Sequence, residues 1–258
     1  MLEINPLLVD YHCHLDLYPN YKEQFSNCAV NRIATLAVTT TPLAWPKNKE
    51  LAGNSPMVRI GLGIHPHLVG HNSNELSLFE KHLSETRFVG EVGLDAGPAY
   101  YKNYGQQKIV FETIVRLCAQ SDGKILSVHA VRAARDVLDL IETHLAGTLN
   151  RVVLHWFSGS VAEARRAVEL GCYFSINGAM LFKPTATALL ASIPRHRLLT
   201  ETDGPFTRMG TRPAEPMDVG QTTAQLANVI GLNKLATITL LLNNLTTLEK
   251  GHPNNPVG

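Results

Sequence analysis

Short apolar runs rich in β-branched residues recur along this chain, and they constrain its fold more than any other feature. The runs predict β-strands at Leu7–His14, Ile33–Thr39, Val58–His65, Phe88–Leu94, Ile125–His129, Val152–Phe157, Tyr173–Ile176 and Leu198–Thr202. Between them, segments with helical character lie at Lys22–Asn31, Ala44–Ala52, Glu75–Ser84, Gln106–Gln120, Ala133–Leu145, Ala162–Leu170 and Thr185–Ser192. Eight strand–helix repeats with short connections predict an α/β fold of the (β/α)8 TIM-barrel type. A doubly wound open sheet is the alternative, because the number of strands does not show closure.

Length and composition fit one barrel domain. The chain has 258 residues, of which 45% are hydrophobic, and this suits a single domain over residues 1–251 with a frayed Pro/Asn-rich tail at 252–258. Basic and acidic residues nearly cancel, 23 against 22, so no overall field attracts nucleic acid. The cysteines are scattered without CxxC spacing, which excludes a zinc ribbon and fits a reducing compartment. With neither a signal-peptide pattern nor a long apolar run, we expect a cytoplasmic protein with no membrane partner.

Two histidines one residue apart on the first strand indicate a metal site. Side chains of a strand alternate between its faces, so His12 and His14 are expected on one face with Asp10 below them. Tyr11 and Cys13 are expected on the opposite face. Two imidazoles on one rigid strand form half of a divalent metal site.

Other predicted strands also end in imidazoles or carboxylates. Such groups are costly to bury unless they are paired or bind a metal, and a barrel gathers its strand ends at one mouth. The resulting set exceeds the capacity of one tetrahedral ion and fits two divalent ions, with Glu91 as the bridging carboxylate. Zinc, manganese and magnesium all suit these ligands. The predicted ligands are His12, His14, Glu91, His129, His155 and Asp203.

Further residues near the strand ends receive functional roles of their own. Asp203 is the candidate that orients or deprotonates a water molecule, and Glu201 lies deeper as a catalytic or a supporting carboxylate. His65 is expected to contact substrate phosphate, with His67 a weaker candidate just beyond it. The remaining histidines are expected at the surface: His71, His82, His144, His196 and His252.

Aromatic and basic residues follow two late strands. Trp156 and Phe157 either stack on a base or pack in the core. Segment 158–160 either binds an anion or caps a helix. In the loop after the eighth strand, Arg208 and Arg212 are candidate substrate contacts, because barrel enzymes often bind phosphate in their late loops.

Taken together, these motifs resemble those of the TatD-type metal-dependent deoxyribonucleases, which have an amidohydrolase-like barrel. The resemblance implies metal ligands at the six residues named above and hydrolysis of DNA phosphodiester bonds, often from an end. Its motifs are spread over Asp10–Pro216: Asp10-Tyr-His-Cys-His14, Gly63-Ile-His-Pro66, Gly90-Glu-Val-Gly-Leu-Asp95, the strand ending in His129, Leu154-His-Trp-Phe-Ser-Gly159 and Thr200-Glu-Thr-Asp-Gly-Pro205.

The chain departs from the family pattern at substrate-contacting positions. The family commonly has arginine two residues after the strand-5 histidine, where this chain has Val131 followed by Arg132. Trp156 stands where the family usually has cysteine, and Gly204 stands where it usually has serine. The following Arg-Asn-Glu-Pro element is reduced to Arg-Pro-Ala-Glu-Pro at 212–216.

Three variant segments resemble the QatD branch of this family. They are His12–Pro19, Thr39–Trp45 and Thr200–Phe206. That branch occurs in an anti-phage defence cassette, so the resemblance implies partner proteins of a Qat-type system beside a DNA substrate.

Three functions remain open at this level. The leading one is two-metal hydrolysis of DNA. An amidohydrolase-like reaction on a C–N or ester bond is the second, but many such enzymes bridge their metals with a carboxylated lysine where this chain has Glu91. The third is a metal-binding scaffold subunit, which would have no need for so many strand-end ligands.

Overall fold

The computed structural model describes residues 5–70, 74–121 and 123–250. The surface positions expected for His71 and His252, and the tail predicted at 252–258, lie outside the described residues. The domain boundaries proposed from the sequence stay a prediction.

The principal strands run parallel to one another. Hydrogen-bonded neighbours form a group of three, β1 to β3, and a group of five, β4 to β8, each in sequence order. Residues Leu62 and Val89 form a parallel bridge that joins the two groups at β3 and β4. The strands are β1 Leu8–Cys13, β2 Ile33–Val38, β3 Val58–Gly61, β4 Phe88–Asp95, β5 Ile125–Val131, β6 Arg151–His155, β7 Tyr173–Ile176 and β8 Leu198–Thr200.

The first and last strands meet, and the sheet closes into a barrel. The Thr200 hydroxyl donates to the carbonyl of Val9 at 2.6 Å. Above it, the Asp203 N–H donates to the carbonyl of His12, and the His14 N–H donates to that of Gly204, each at 2.9 Å. The predicted (β/α)8 barrel is therefore confirmed, and the open sheet is excluded.

Helices cover the outside of the barrel and begin where the sequence supplies caps and apolar faces. In α6, the Ser160 hydroxyl accepts from the N–H of Glu163, whose carboxylate accepts from the N–H of Ser160. Within segment 158–160, Ser160 therefore caps α6. The helices are α1 Tyr21–Val30, α2 Trp45–Ala52, α3 Glu75–Leu83, α4 Tyr104–Ala119, α5 Ala134–Leu145, α6 Val161–Glu169, α7 Gly178–Leu181, α8 Ala186–Ala191, α9 Val219–Ile230 and α10 Lys234–Lys250.

Basic side chains at the amino ends of several strands bind backbone carbonyls there. The Lys124 ammonium donates to the carbonyls of Leu83 and Thr86 at 2.7 and 2.6 Å. The Arg197 guanidinium donates in the same way to the carbonyl of Gly171 at 2.8 Å. Cations that satisfy free carbonyls near helix ends stabilise these connections. This end of the barrel thus uses its charge for stability, away from the strand ends that carry the candidate ligands.

The first strand differs from the simple alternation expected for it. The pairing of β1 with β2 shifts register between Asp10 and Cys13. Among the described residues, the Asp10 carboxylate forms no hydrogen bond with either imidazole. It accepts instead from the N–H and the hydroxyl of Thr202, at 2.7 and 2.6 Å. Asp10 therefore fastens β1 to the segment after β8.

Other differences concern segments shaped by contacts far along the chain. β3 ends at Gly61, so His65 lies in the connection beyond the strand. The loop after β8 contains a small antiparallel pair, β9 Arg208–Met209 and β10 Arg212–Pro213, that the sequence does not predict. The C-terminal helical region divides into α9 and α10 at Gly231, whose φ of 68° is left-handed and ends α9.

No single helix in the described ranges is long and apolar enough to cross a membrane. The segments Pro216–Ile230 and Lys234–Lys250, bent by 104° at the break between them, pass that test only when they are taken together, by length and composition.

Replacing Asn244 tests the attachment of the last helix to the barrel. Its side-chain amide is buried and donates to the carbonyls of Arg195 and Leu198 at 2.8 and 2.7 Å. We expect Asn244→Ala to lower the free energy of unfolding by about 1–3 kcal/mol, because two buried carbonyls lose their donor. Urea denaturation measures the change, with the exposed neighbour Asn243→Ala as the matched control. Equal effects of the two variants would contradict this role.

Candidate metal centre

Glu91 occupies the middle of a cluster of imidazoles at the carboxyl end of the barrel. Its Oε2 lies 3.2 Å from His14 Nε2 and 3.5 Å from His12 Nε2. Its Oε1 lies 2.7 Å from His129 Nδ1 and 2.8 Å from His155 Nε2. The two oxygens of one carboxylate therefore face two separate pairs of histidines. This is the arrangement expected of a carboxylate that bridges two cations.

Two further residues join the cluster, one on each side of Glu91. The Oδ1 atom of Asp203 lies 3.7 Å from His12 Nε2 and 3.6 Å from His14 Nε2. On the other side, His65 Nε2 lies 3.2 Å from Glu91 Oε1. All six predicted ligands are thus close together, and His65, predicted as a phosphate contact, is also within reach of a cation there.

The backbone brings Glu91 to this position through a close crossing of three strands. The Glu91 N–H donates to the carbonyl of Thr39 at 3.0 Å, and the Thr39 hydroxyl accepts from the N–H of Gly63 at 3.1 Å. A β-carbon at Gly63 would collide with the Thr39 carbonyl and the Glu91 backbone nitrogen. Glycine at position 63 is therefore required for this approach.

Site residues also lie where the backbone is strained. Arg132, Trp156 and Asp203 follow β5, β6 and β8 and have φ angles of 52°, 38° and 51°. Residues other than glycine rarely adopt this left-handed region, and such positions concentrate at functional sites.

The charges of the cluster favour a cation. Burial opposes charge on His14, but Asp203 and Glu91 outweigh it and raise its pKa to about 9. Burial alone would also raise the pKa of Glu91, yet the imidazoles around it, with His65 and His155 foremost, hold that pKa well below its usual range. Glu91 is therefore ionised at neutral pH, and it stabilises positive charge among the histidine nitrogens.

Unsatisfied nitrogen atoms show that the cluster suits a metal ion. Burial lowers the pKa of His12 to about 3, so this imidazole is neutral at pH 7. Its Nε2 and both ring nitrogens of His14 are buried and form no hydrogen bond with any described residue. Buried polar atoms are normally satisfied, the lone pair of a neutral imidazole such as His12 is a ligand for divalent metals, and the carboxylates that favour a proton on His14 would equally favour a metal cation there. The residues present therefore fit a metal centre.

Surrounding polar residues contact His12 directly and fix the backbone next to His155. The Ser127 hydroxyl lies 2.7 Å from His12 Nδ1. Glu201, whose pKa is raised by burial, accepts from the Trp156 N–H at 3.0 Å and lies 3.8 Å from His155 Nδ1. It also accepts from the hydroxyl of Ser175 and from the amide of Asn177. Of its two predicted roles, these contacts favour support of β6 and His155.

Asp95 supports the strand-5 histidine in a similar way. Its Oδ2 lies 3.2 Å from His129 Nε2 and 2.6 Å from His67 Nε2, and the ring of His67 stacks on Tyr100. A hydrogen bond at His129 Nε2 leaves Nδ1 as the atom that faces Glu91, so Asp95 selects the tautomer of this candidate ligand.

A cavity of about 780 Å³ opens above the cluster. Besides the histidines and carboxylates, its walls include two cations, Arg132 and Lys183, and two aromatic residues, Trp156 and Phe206. Its size is that of a site for a small ligand or for one end of a larger one.

The structure places the other predicted site residues outside this cavity. Phe157 is buried and packs against the ring of Phe174. Arg212 makes two hydrogen bonds of 2.7 Å to the carboxylate of Asp218. Arg208 is exposed and donates to the carbonyl of Thr211. Neither arginine is among the residues that line the cavity.

Sequence reasoning missed three residues that the structure brings to the site. Asp95 ends the Gly90–Asp95 motif and could have been found from its place at the end of β4. Lys183 and Phe206 lie in connections after β7 and β8. The only sequence signal for either residue was its position in a loop that follows a predicted strand.

A closed (β/α)8 barrel with imidazoles and carboxylates gathered at the carboxyl ends of its strands defines the class of metal-dependent barrel hydrolases. Residues 9–250 match the model of the TatD-related DNase family, so the chain belongs to this family.

Relatives agree with this assignment, and a solved structure agrees with the fold. An uncharacterized metal-dependent hydrolase of Buchnera aphidicola is 28% identical over 245 residues, which cover 86% of this chain and 89% of that protein. Deoxyribonuclease Tat-D of Schizosaccharomyces pombe is 31% identical over 117 residues, 45% of this chain and 37% of that protein. The crystal structure of a TatD homologue from Escherichia coli K12 has a TM-score of 0.84 at 24% identity, and the match covers 94% of this chain and 98% of that chain.

Asp95→Asn tests how the strand-5 histidine is held. The variant keeps the size of the side chain but loses the charge that orients His129. We expect divalent metal affinity to fall by about 10–100-fold, the usual cost of losing such a partner. Titration calorimetry with Mn²⁺ measures it, and Asp139→Asn, at an exposed carboxylate on α5, is the control. Unchanged affinity in Asp95→Asn would show that His129 does not depend on this contact.

Proposed function

We propose that this protein is a divalent-metal-dependent deoxyribonuclease that hydrolyses phosphodiester bonds of DNA. The observation that carries the proposal is the division of Glu91 between two histidine groups, with Oε2 toward His12 and His14 and Oε1 toward His129 and His155. Two cations held in this way would occupy adjacent positions beneath the cavity. Paired ions in such sites serve phosphoester hydrolysis in many enzymes.

The residues of the chain divide the proposed reaction between them. When bound, two divalent ions would lower the pKa of a water molecule and neutralise charge on the phosphodiester. Asp203, 3% exposed and hydrogen-bonded through its N–H to β1, is placed to orient that water and to accept its proton at Oδ1. Arg132 and Lys183 line the cavity above and would bind the phosphates of the strand.

Hydrolysis of a C–N or ester bond is the rival reaction for this class of barrel. Glu91 occupies the position at which many such enzymes carry a bridging carboxylated lysine, and Lys183 lies on the cavity wall rather than at a strand end. The cations on the wall favour an anionic substrate over a neutral amide. The name of the fission-yeast relative, a deoxyribonuclease, adds support for DNA.

The shape of the site favours attack at an end of the DNA. The cluster lies at the base of a cavity with walls formed by the connections that follow the strands. A chain end enters such a cavity more readily than the middle of a stiff duplex. We therefore propose exonucleolytic hydrolysis.

The biological setting is also a proposal. The variant segments that resemble the QatD branch support a role in anti-phage defence with partner proteins of a Qat-type cassette. Four buried free cysteines, Cys13, Cys28, Cys118 and Cys172, are consistent with a reducing compartment such as the cytoplasm.

Removing the acid–base group tests the proposed reaction. We expect Asp203→Asn to lower the rate of oligonucleotide hydrolysis by about 10²–10⁴-fold, because the side-chain amide of asparagine cannot accept the proton of the water molecule. Release of nucleotides from end-labelled single-stranded DNA in Mn²⁺ measures the rate, with chelated samples as blanks. His144→Ala, at the outer face of α5, is the control and retains activity. Wild-type protein that cleaves small esters or amides but no DNA would refute the proposal.

Alanine substitutions separate the cations of the cavity from those of the late loop. We expect Arg132→Ala and Lys183→Ala each to raise KM for an oligonucleotide about tenfold, which is the effect of losing one charged hydrogen bond of about 1.4 kcal/mol. Arg208→Ala, outside the cavity wall, is expected to change KM by less than about twofold, as for an exposed surface charge. A larger effect at Arg208 than at Arg132 would assign substrate binding to the loop after β8.

A further inference from the structure

Two aromatic side chains line the cavity above the metal centre: Trp156, which is partly buried against the core, and Phe206, which is largely exposed. Phe206 is 57% exposed, and its ring lies 5.0 Å from that of His14 at an angle of 85°. Trp156 directly follows His155 on the wall of the same cavity. A large apolar ring that stays exposed beside a buried polar cluster gains little from the fold. A planar apolar ligand would bury it.

Hydrogen bonds fix the backbone of both aromatic residues. The Trp156 N–H donates to Glu201 Oε1 at 3.0 Å, and the residue has a left-handed φ of 38°. The Phe206 N–H donates to the carbonyl of Asp203 at 3.0 Å. Each aromatic residue is therefore tied to a residue of the metal centre or its support. Such rigid attachment suits recognition of a ligand that lies at a defined distance from the centre.

We propose that Phe206 and Trp156 bind the nucleobase of the nucleotide whose phosphate lies at the metal centre. The inference rests on the proposed function and extends it. The site then recognises a terminal nucleotide by stacking on its base, and a sugar phosphate without a base binds poorly. Stacking on aromatic rings tolerates every base, because each has a flat π face. Arg132 and Lys183 supply the electrostatic part on the same wall.

A protein partner covering the barrel mouth is the other explanation for exposed aromatic residues. Phe182, next to Lys183, is 78% exposed, but it does not line the cavity. A flat protein contact would bury Phe182 as readily as Phe206, whereas a nucleobase inside the cavity would contact Phe206 and not Phe182. The two side chains thus form a matched pair for a test.

The test compares the binding of deoxyadenosine 5′-monophosphate with that of 2-deoxyribose 5-phosphate by titration calorimetry of the intact protein in Mg²⁺. Both ligands present the same phosphate, so their ratio of Kd values isolates the base. Stacking contributes about 1–3 kcal/mol per base, and we expect the nucleotide to bind about 5–160-fold more tightly. Phe206→Leu is expected to bring the ratio of the two Kd values close to one. Phe206→Tyr, which keeps an aromatic ring, is expected to preserve the ratio.

Two further measurements make the result specific. Phe182→Leu is expected to leave the ratio unchanged. The chain has two tryptophans, and Trp45 is buried at 3% exposure on α2, so quenching of fluorescence by the nucleotide is expected to disappear in Trp156→Phe.

Equal affinity of the wild-type protein for the two ligands, or an unchanged ratio in Phe206→Leu, would overturn the inference. Neither result depends on catalysis. A protein that prefers the nucleotide but cleaves no DNA would keep the base site and lose the proposed reaction. A protein that cleaves DNA but binds the two ligands equally would keep the proposed reaction and lose the base site.

Discussion

The structure of the site depends on one buried carboxylate that faces imidazoles on both sides. An ionised glutamate enclosed by protein is costly unless opposite charges or donors surround it. Glu91, 1% exposed, has five histidine nitrogens within 3.5 Å, contributed by His12, His14, His65, His129 and His155. These partners come from elements spread around the barrel. Holding the carboxylate in this environment therefore requires the whole barrel to close, and the site and the fold are parts of one arrangement.

This requirement explains features that would otherwise be unrelated. The glycine at position 63 allows β4 to approach the end of β2 closely enough for the Glu91 N–H to reach Thr39. The contact between Asp10 and Thr202 brings the end of β8 against β1, so that Asp203 reaches His12 and His14. Buried hydrogen bonds in a low-dielectric interior specify position more strictly than apolar packing does.

The sequence was a good guide to the strands and to their ends, for a physical reason. Apolar runs mark barrel strands, and a charged residue that closes such a run needs a partner at the same mouth, so His12, Glu91 and Asp203 could be grouped before any coordinates. The contact of Asp10 with Thr202 was not predictable, because it depends on how the closed barrel brings β1 and the segment after β8 together. The same holds for Asp95, since its role depends on the distance to His129.

Loops were predicted less well because distant contacts shape them. The segment after β8 carries two arginines that look available for substrate in the sequence, but Arg212 pairs with Asp218 and Arg208 with a backbone carbonyl. Intramolecular partners of this kind compete with a substrate phosphate and reduce what such residues contribute to binding.

Only the basic side chains without an intramolecular partner are available to bind a ligand. With a formal net charge of +1, the chain exerts no general attraction on DNA. Lys124 and Arg197 bind backbone carbonyls at the amino end of the barrel. At the opposite mouth, Arg132 and Lys183 form no ion pair with any described residue and line the cavity above Glu91. The local field at this mouth is therefore set by few groups: two free cations on the wall and the metal ions the cluster is suited to hold. Under the proposed function, these charges would attract an anionic strand to the mouth that holds the metal centre, so that binding and hydrolysis would occur at the same end of the barrel.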